Sequence, residues 1–175
     1  MPPHFYTMIQ KILIDQRGNV LHWTSGDLHT LFGKIKEEDI KKASGHVKSH
    51  TDKEFIIFDA AFPDQTDKIE RGPAVIGKKD IGLIIATTGI NRQSTIVDIG
   101  TGPGMLALHL ANISEKVTSY EKSPDVAAIA KKNMEKLGLK VTIKTKDATE
   151  GIDEKEVDLI TIDLREPSVI LDHVY

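Results

Sequence analysis

The chain has 175 residues, of which 39% are hydrophobic, and a formal net charge of −3. This length allows one medium domain or a small and a medium one, and 23 basic against 26 acidic side chains exclude the strong positive charge of a bulk nucleic-acid binder. The absence of cysteine excludes disulfides and thiolate metal sites. There is neither a signal-peptide pattern nor an apolar run approaching the roughly 18 residues of a membrane span, so we expect a soluble, cytoplasmic protein.

The first part of the chain, residues 1–67, consists of short alternating segments separated by turn formers. This pattern predicts a small curled sheet or β-barrel-like domain, with a helical turn from Glu37 to Lys42 and with Trp23 in its core. The polar segment from Pro63 to Gly77 contains Gly72-Pro73, which is typical of a domain junction. The predicted strands are Met8 to Ile14, Val20 to Trp23, Leu28 to Ile35, His46 to Ser49 and Glu54 to Phe58.

Lysines and histidines in this first part are candidates for RNA or metal binding. Acidic residues interrupt the lysines, which favours a solvated face over an RNA contact. His46 and His50 lie on a predicted strand at a spacing too wide for one metal ion, so we expect no metal site. The lysines are Lys34, Lys36, Lys41, Lys42 and Lys48.

From residue 68 onward, predicted helices and strands alternate. Alternation of this kind predicts a doubly wound, mostly parallel sheet. The predicted helices are Lys79 to Thr88, Met105 to Ala111 and Pro124 to Leu137, and the predicted strands are Thr95 to Ile99, Lys116 to Tyr120, Lys140 to Lys144 and Val157 to Ile162.

A glycine turn follows the first strand of this second part. Gly100, Gly102 and Gly104 alternate there, and such a turn lets the backbone approach a ligand that a Cβ would obstruct. The spacing is not the G-x-G-x-x-G of pyrophosphate binders, and the nearby carboxylate of Asp98 would repel a pyrophosphate. The turn therefore favours S-adenosylmethionine over NAD, with Asp98 orienting the turn and facing the ammonium side of the cofactor.

An acidic residue closes each of the four strands of the second part: Asp98, Glu121, Asp147 and Asp163. Ligands bind beyond the carboxyl ends of parallel strands, so one ligand laid across these ends would meet all four. Glu121 is placed to accept both ribose hydroxyls and Asp147 to accept from the adenine amino group, whereas Asp163 faces the substrate side. The other residues that we assign to the cofactor site adjoin these acids and glycines, and they are Thr101, Met105, Lys122 and Ala148.

The second part resembles the class I S-adenosylmethionine-dependent methyltransferases, and the chain as a whole resembles the archaeal form of the tRNA (adenine-58-N1) methyltransferase family. The motifs that carry the narrower resemblance are Phe32-Gly33, Arg71-Gly72-Pro73-Ala74-Val75-Ile76, Lys79-Asp80, Val97-Asp98-Ile99-Gly100-Thr101-Gly102, Ser119-Tyr120-Glu121 and Asp163-Leu164-Arg165-Glu166-Pro167. The resemblance implies a Rossmann-like fold, methyl transfer to N1 of an adenine in tRNA, Asp163 as the catalytic residue and a homotetramer.

The sequence also departs from that family's pattern. Ala74, Gly77-Lys78, Arg165 and Ser168 stand where the family usually has other residues, several of them aromatic or proline. The chain ends at Tyr175, where the family continues through further strands, so we expect a truncated sheet whose fourth strand is an apolar edge. Two other functions stay open: a methyltransferase of small molecules or proteins, and a non-catalytic subunit that binds the cofactor.

Overall fold

The computed structural model describes residues 8–70, 72 and 75–173. The chain divides into two compact units between Lys68 and Ile69. Arg71, Pro73 and Ala74 of the motif that carries the family resemblance lie outside the described residues, as does Tyr175.

The first unit is built on an antiparallel sheet of four strands in the order β2-β1-β6-β5, beside a separate two-stranded hairpin of β3 and β4. Two short helices, α1 and α2, complete the unit. The elements are β1 (Lys11–Ile14), β2 (Val20–Trp23), β3 (Leu28–Thr30), β4 (Gly33–Ile35), α1 (Glu37–Lys42), β5 (Gly45–Lys48), β6 (Glu54–Asp59) and α2 (Phe62–Thr66). Among the described residues, β2 and β5 are the two ends of an open sheet, so the sheet does not close into a barrel.

Trp23 lies in the core of this unit, as predicted, with 2% of its surface exposed. Its indole Nε1 donates to the carbonyl oxygen of Gly26 at 2.7 Å, which satisfies the one polar atom that the ring buries. The buried residues around it are Leu13, Ile35, Ile40, Val47, Phe55 and Ile57.

Three predictions for the first unit were wrong. Strand β1 starts at Lys11 and not at the predicted Met8. The segment from Leu28 to Ile35 is a hairpin and not one strand, because the chain turns between Thr30 and Gly33. The Thr30 hydroxyl donates to the carbonyl oxygen of Gly33 at 2.8 Å and accepts from the N–H of Phe32 at 3.0 Å, and Gly33 has a φ of +102°. The predicted junction begins too early, because helix α2 continues to Thr66. Pro63 starts that helix rather than breaking it, since the first turn needs no backbone N–H.

Four of the five lysines considered for RNA binding lie close to carboxylates. Lys34 Nζ is 3.1 Å from Asp27, Lys36 is 3.7 Å from Glu38, Lys41 is 2.9 Å from Glu37 and Lys48 is 3.2 Å from Asp52. The positive charge of this surface is therefore largely balanced locally, which agrees with a solvated face.

The second unit contains a parallel sheet in the order β10-β7-β8-β9. Its elements are α3 (Lys78–Thr88), β7 (Thr95–Ile99), α4 (Met105–Ala111), β8 (Lys116–Tyr120), α5 (Pro124–Leu137), β9 (Thr142–Lys144) and β10 (Leu159–Ile162), with 3₁₀ helices at Ala148–Glu150 and Pro167–His173. The parallel arrangement confirms the Rossmann-like prediction. Strands β9 and β10 each begin two residues later than predicted.

The burial of the strands agrees with their order in the sheet. In β7 the side chains of Ile96, Val97 and Ile99 are buried, as expected for an inner strand of a parallel sheet. Strand β10 is half-exposed along its whole length and pairs only with β7 among the described residues, so it forms one edge. None of the helices in the described ranges is long and apolar enough to span a membrane.

Candidate functional site

The glycine turn lies between β7 and α4 and is held from the neighbouring strand. The backbone N–H groups of Gly100 and Thr101 both donate to the carbonyl oxygen of Tyr120 at 3.0 Å. Gly100, Gly102 and Gly104 have φ values of +92°, +55° and +92°, which disfavour any residue with a Cβ.

The three glycines are needed for different reasons, which corrects the expectation that all of them admit a ligand. A Cβ on Gly100 would lie 2.3 Å from the carbonyl oxygen of Asp163, and one on Gly104 would lie 2.8 Å from the Met134 side chain. These two glycines permit β10 and α5 to pack against the turn. Only at Gly102 does a Cβ meet nothing within 4 Å, so only this glycine opens onto free space.

That free space belongs to a cavity of about 740 Å³ beyond the carboxyl ends of the strands. This volume lies within the usual range for small-molecule sites. The cavity contains seven of the predicted site residues, and these are Gly100, Gly102, Glu121, Lys122, Asp147, Ala148 and Asp163.

Glu121 is fixed by two backbone groups at the centre of this cavity wall. Its Oε2 accepts from the N–H of Gly102 and its Oε1 accepts from the N–H of Ser123, each at 3.0 Å. The carboxylate therefore joins the glycine turn to the start of α5. Each oxygen can accept a further hydrogen bond, as a pair of ribose hydroxyls would require.

Asp147 caps the 3₁₀ helix that follows β9. Its Oδ1 accepts from the N–H and the hydroxyl of Thr149, at 3.0 and 2.8 Å. Those hydrogen bonds, first the backbone and then the hydroxyl one, lower the pKa of Asp147. The residue is thus a charged acceptor at the far end of the cavity from Asp163.

Asp98 is not among the residues that line the cavity, and its contact with the ammonium side of the cofactor stays a prediction. The side chain is 1% exposed, and its oxygens accept from the hydroxyls of Ser119 at 2.7 Å and Thr161 at 2.8 Å. Ser119 is in turn 2.6 Å from the hydroxyl of Thr101 in the glycine turn. Asp98 is therefore linked to the glycine turn through Ser119.

Desolvation dominates the electrostatics of this buried carboxyl. Burial raises the pKa of Asp98, although the hydrogen bonds from Ser119 and Thr161 oppose the shift. The negative charges of Asp163 and Glu121 raise it further.

Three other residues that we assigned to the cofactor site, in the turn or directly after it, are buried. Thr101 and Met105 are 4% and 5% exposed, and Gly104 packs on α5. None of the three is among the residues that line the cavity. Sequence proximity to the glycines suggested these contacts, which stay a prediction.

Asp163 occupies the wall between two cavities. It follows β10 directly, is exposed, and its N–H donates to the carbonyl oxygen of Ile99 at 2.8 Å. It lines the cavity of Gly102 and also a second one of about 620 Å³. The second cavity extends between α3 and β10, and its lining is largely apolar, including Val75, Ile76, Leu106 and Ile162.

Sequence reasoning missed several residues of the first cavity. Tyr120, Lys146 and Leu164 precede or follow the acids at the strand ends, and this adjacency could have indicated them. Arg165 and Glu166 belong to a quoted motif, and Arg165 was also named as a departure from the family pattern, but neither was assigned to the site. Val169 lies on a 3₁₀ helix, which leaves no periodic signal in the sequence.

A parallel sheet with a glycine turn after β7 and a carboxylate after β8 places this chain in the class I S-adenosylmethionine-dependent methyltransferases. Residues 76–151 match the family model for ribosomal RNA adenine dimethylase. The chain is 30% identical to the tRNA (adenine(57)-N(1)/adenine(58)-N(1))-methyltransferase TrmI of Methanocaldococcus jannaschii, over 90% of this chain and 67% of that protein. It belongs to the TrmI methyltransferase family.

Solved structures agree with this fold. A crystal structure of TrmI from Aquifex aeolicus superposes with a TM-score of 0.78 at 19% identity, covering 97% of this chain and 70% of that one. An S-adenosylmethionine-dependent O-methyltransferase from Thermotoga maritima gives a TM-score of 0.80 at 27% identity, covering 94% of this chain and 66% of that one. The chain thus spans about two thirds of the length of these relatives.

Proposed function

We propose that this methyltransferase acts on N1 of an adenine in tRNA. The observation that carries the proposal is the position of Asp163, which lines both the cavity that holds Gly102, Glu121 and Asp147 and the second cavity between α3 and β10, where a base could enter. The name of the archaeal relative supports the choice of tRNA and of N1.

The residues of the first cavity fit S-adenosylmethionine. Gly102 leaves the space that a Cβ would fill, Glu121 offers two fixed oxygens to the ribose, and Asp147 offers an acceptor to the adenine amino group. The cofactor supplies a methyl group that its sulfonium has already activated. The protein therefore needs mainly to align the acceptor and to exclude water.

Asp163 supplies what the acceptor base lacks. Adenine N1 is a weak nucleophile, and its lone pair gains electron density when the exocyclic amine donates a hydrogen bond to a carboxylate. The same carboxylate stabilises the positive charge that develops on the base. The base must leave the folded tRNA to reach Asp163, and the second cavity is the space that would receive it.

The proposal extends to the setting of the enzyme. The family resemblance implies a homotetramer in the cytoplasm, with the first unit contributing to RNA binding. The paired lysines of that unit make it a weak electrostatic binder by itself, so we place the main RNA contacts around Asp163.

Asp163→Asn tests this assignment, because it keeps the shape of the side chain and removes its charge. We expect the methylation rate at saturating cofactor to fall at least about a hundredfold, as for other positioned electrostatic groups, with the Kd for S-adenosylhomocysteine nearly unchanged. Asp172→Asn, on an exposed carboxylate of the Pro167–His173 helix, is the matched control. An Asp163→Asn enzyme that methylates tRNA at the parental rate contradicts the mechanism.

A second candidate function is O-methylation of a protein or small molecule. It is favoured by the likeness to the Thermotoga O-methyltransferase and by 32% identity to protein-L-isoaspartate O-methyltransferase 2 of Marinobacter nauticus over 52% of this chain and 42% of that protein. Methyl transfer to an isoaspartyl peptide, with none to tRNA, would select this alternative.

A further inference from the structure

A charged cluster lies beside the cavity at the ends of β8 and β9. It consists of Tyr120, Lys144, Asp153 and Glu154, and we call it the Lys144 cluster. The Nζ of Lys144 donates to Glu154 Oε1 at 2.6 Å, to Asp153 Oδ2 at 2.9 Å and to the Tyr120 hydroxyl at 3.2 Å.

The tyrosine hydroxyl is fully used in this cluster. It donates to Glu154 Oε2 at 2.5 Å and accepts from both Lys144 Nζ and the backbone N–H of Asp153, the latter at 2.9 Å. A phenol has one hydrogen to donate and two lone pairs to offer, so all of its capacity is satisfied. The loop that carries Asp153 and Glu154 is thereby fastened to both strands.

The cluster is more than an exposed ion pair. The Lys144 and Glu154 side chains are 27% and 15% exposed, and Tyr120 as a residue is 1% exposed. Exposed pairs contribute little, but removing one partner of a half-buried pair leaves the other charge without compensation. Lys146 and Lys144 lower the pKa of Asp153 to about 2, and the hydrogen bond that Lys144 donates to Glu154 raises the pKa of Lys144, so the charges persist through the neutral range.

The backbone of the same residues supports the cavity wall. The carbonyl oxygen of Tyr120 accepts hydrogen bonds from the N–H groups of Gly100 and Thr101 in the glycine turn. The carbonyl oxygen of Lys144 accepts hydrogen bonds from the N–H groups of Glu121 at 3.0 Å and Lys146 at 3.1 Å. Lys146 also bonds to Asp153 at 2.8 Å, which ties the segment leading to Asp147 to the same loop.

We propose that Lys144 and Glu154 are positioning residues for S-adenosylmethionine: they fix Tyr120 and the 151–156 loop, and through them the part of the cavity wall formed by Glu121 and Asp147. This inference rests on the cofactor placement given under Proposed function. Neither residue touches the cofactor in this scheme. Their loss therefore affects cofactor affinity and leaves the chemical step intact.

Calorimetry with S-adenosylhomocysteine, run well below the Tm of every variant, tests the proposal. We expect Lys144→Met to weaken binding about tenfold, and Lys144→Arg to restore it to within about threefold because a cationic donor is retained. Lys140→Met is the matched control, since Lys140 is exposed and lies before β9, at the end of the sheet away from the cavity. In turnover, Lys144→Met should raise the KM for S-adenosylmethionine about tenfold and change kcat less than about twofold.

A purely structural role would give a different result. In that case Lys144→Met lowers Tm while the Kd and KM stay at the parental values, and the proposal is overturned. If Lys144→Met does not fold, Glu154→Gln serves instead, because the amide keeps the shape and the bond to Tyr120 while removing the charge that Lys144 faces; an unchanged Kd there overturns the proposal equally.

Glu121→Ala separates this proposal from the one it rests on. If Glu121→Ala binds S-adenosylhomocysteine normally, the cofactor placement is wrong. If Glu121→Ala loses affinity and the Lys144 and Glu154 variants do not, the placement stands and only the positioning role is wrong.

Discussion

The three glycines of the turn should respond differently to the same substitution. At Gly100, alanine would place its Cβ 2.3 Å from the backbone oxygen of Asp163, a contact that no side-chain rotation relieves. Overpacking costs about 1–3 kcal/mol and a left-handed backbone with a Cβ about 1–2 kcal/mol, so we expect a total of about 2–5 kcal/mol. At Gly102 only the second contribution, about 1–2 kcal/mol, applies.

These costs translate into separable melting temperatures. At about 4 °C for each kcal/mol, Gly100→Ala should lower the Tm by about 8–20 °C and Gly102→Ala by about 4–8 °C. Gly138 ends α5 with a φ of +64° and open space around its Cβ position, so Gly138→Ala should match Gly102→Ala in stability.

Cofactor binding distinguishes the last two variants. The methyl group of Gly102→Ala enters the cavity, whereas that of Gly138→Ala does not, because Gly138 is not among the residues that line it. Calorimetry with S-adenosylhomocysteine should show at least about tenfold weaker binding for Gly102→Ala and parental binding for Gly138→Ala. Normal binding by Gly102→Ala, or a Gly100→Ala protein as stable as Gly138→Ala, would refute this account of the turn.

Two further predictions concern carboxylates. Glu121→Ala should lose about 1.5–3 kcal/mol of cofactor affinity for each ribose hydrogen bond, measured by calorimetry, because its acceptor is ionised; a Kd equal to that of the parent would show that the ribose lies elsewhere. Burial raises the pKa of Asp98, so protonation of this carboxyl is more favourable in the folded state than in the unfolded state. The stability that this raised pKa contributes is fully present below the pKa of an unfolded aspartate, about 3.9. It is lost as the pH rises through the pKa that Asp98 has in the folded protein. Urea unfolding from pH 4 to 8 should therefore show the parent losing stability relative to Asp98→Asn as the pH rises, and a constant difference would contradict the assigned shift.

Strand and helix periodicity predicted most of the second unit because its elements carry local signals. Strand β7, helix α4 and helix α5 have the predicted bounds, with Ser123 capping α5 and Gly138 ending it. The hairpin at Gly33 was missed although Gly33 itself is a local signal for a turn. Only the close approach of His50 to Gly33 could not be read from local patterns, because His50 is far away in the sequence.

The burial of Asp98 could not be predicted for a related reason. Both neighbours of Asp98, Val97 and Ile99, are buried, so alternation along β7 does not reveal which face the carboxylate occupies. The hydroxyls that donate to the Asp98 carboxylate, on Ser119 and Thr161, lie on two other strands. The Lys144 cluster could not be predicted from the sequence for the same reason, because its members come from β8, β9 and a loop.

The central claim is that this chain methylates N1 of an adenine in tRNA, and analysis of the product tests it most directly. An unmodified tRNA transcript is incubated with the protein and S-adenosylmethionine carrying a deuterated methyl group, then digested to nucleosides for mass spectrometry. The account predicts mass-shifted 1-methyladenosine from the parent and its near absence from Asp163→Asn. Label found at another atom of the RNA, or on a carboxyl or hydroxyl of a protein or small molecule with none in 1-methyladenosine, would contradict it.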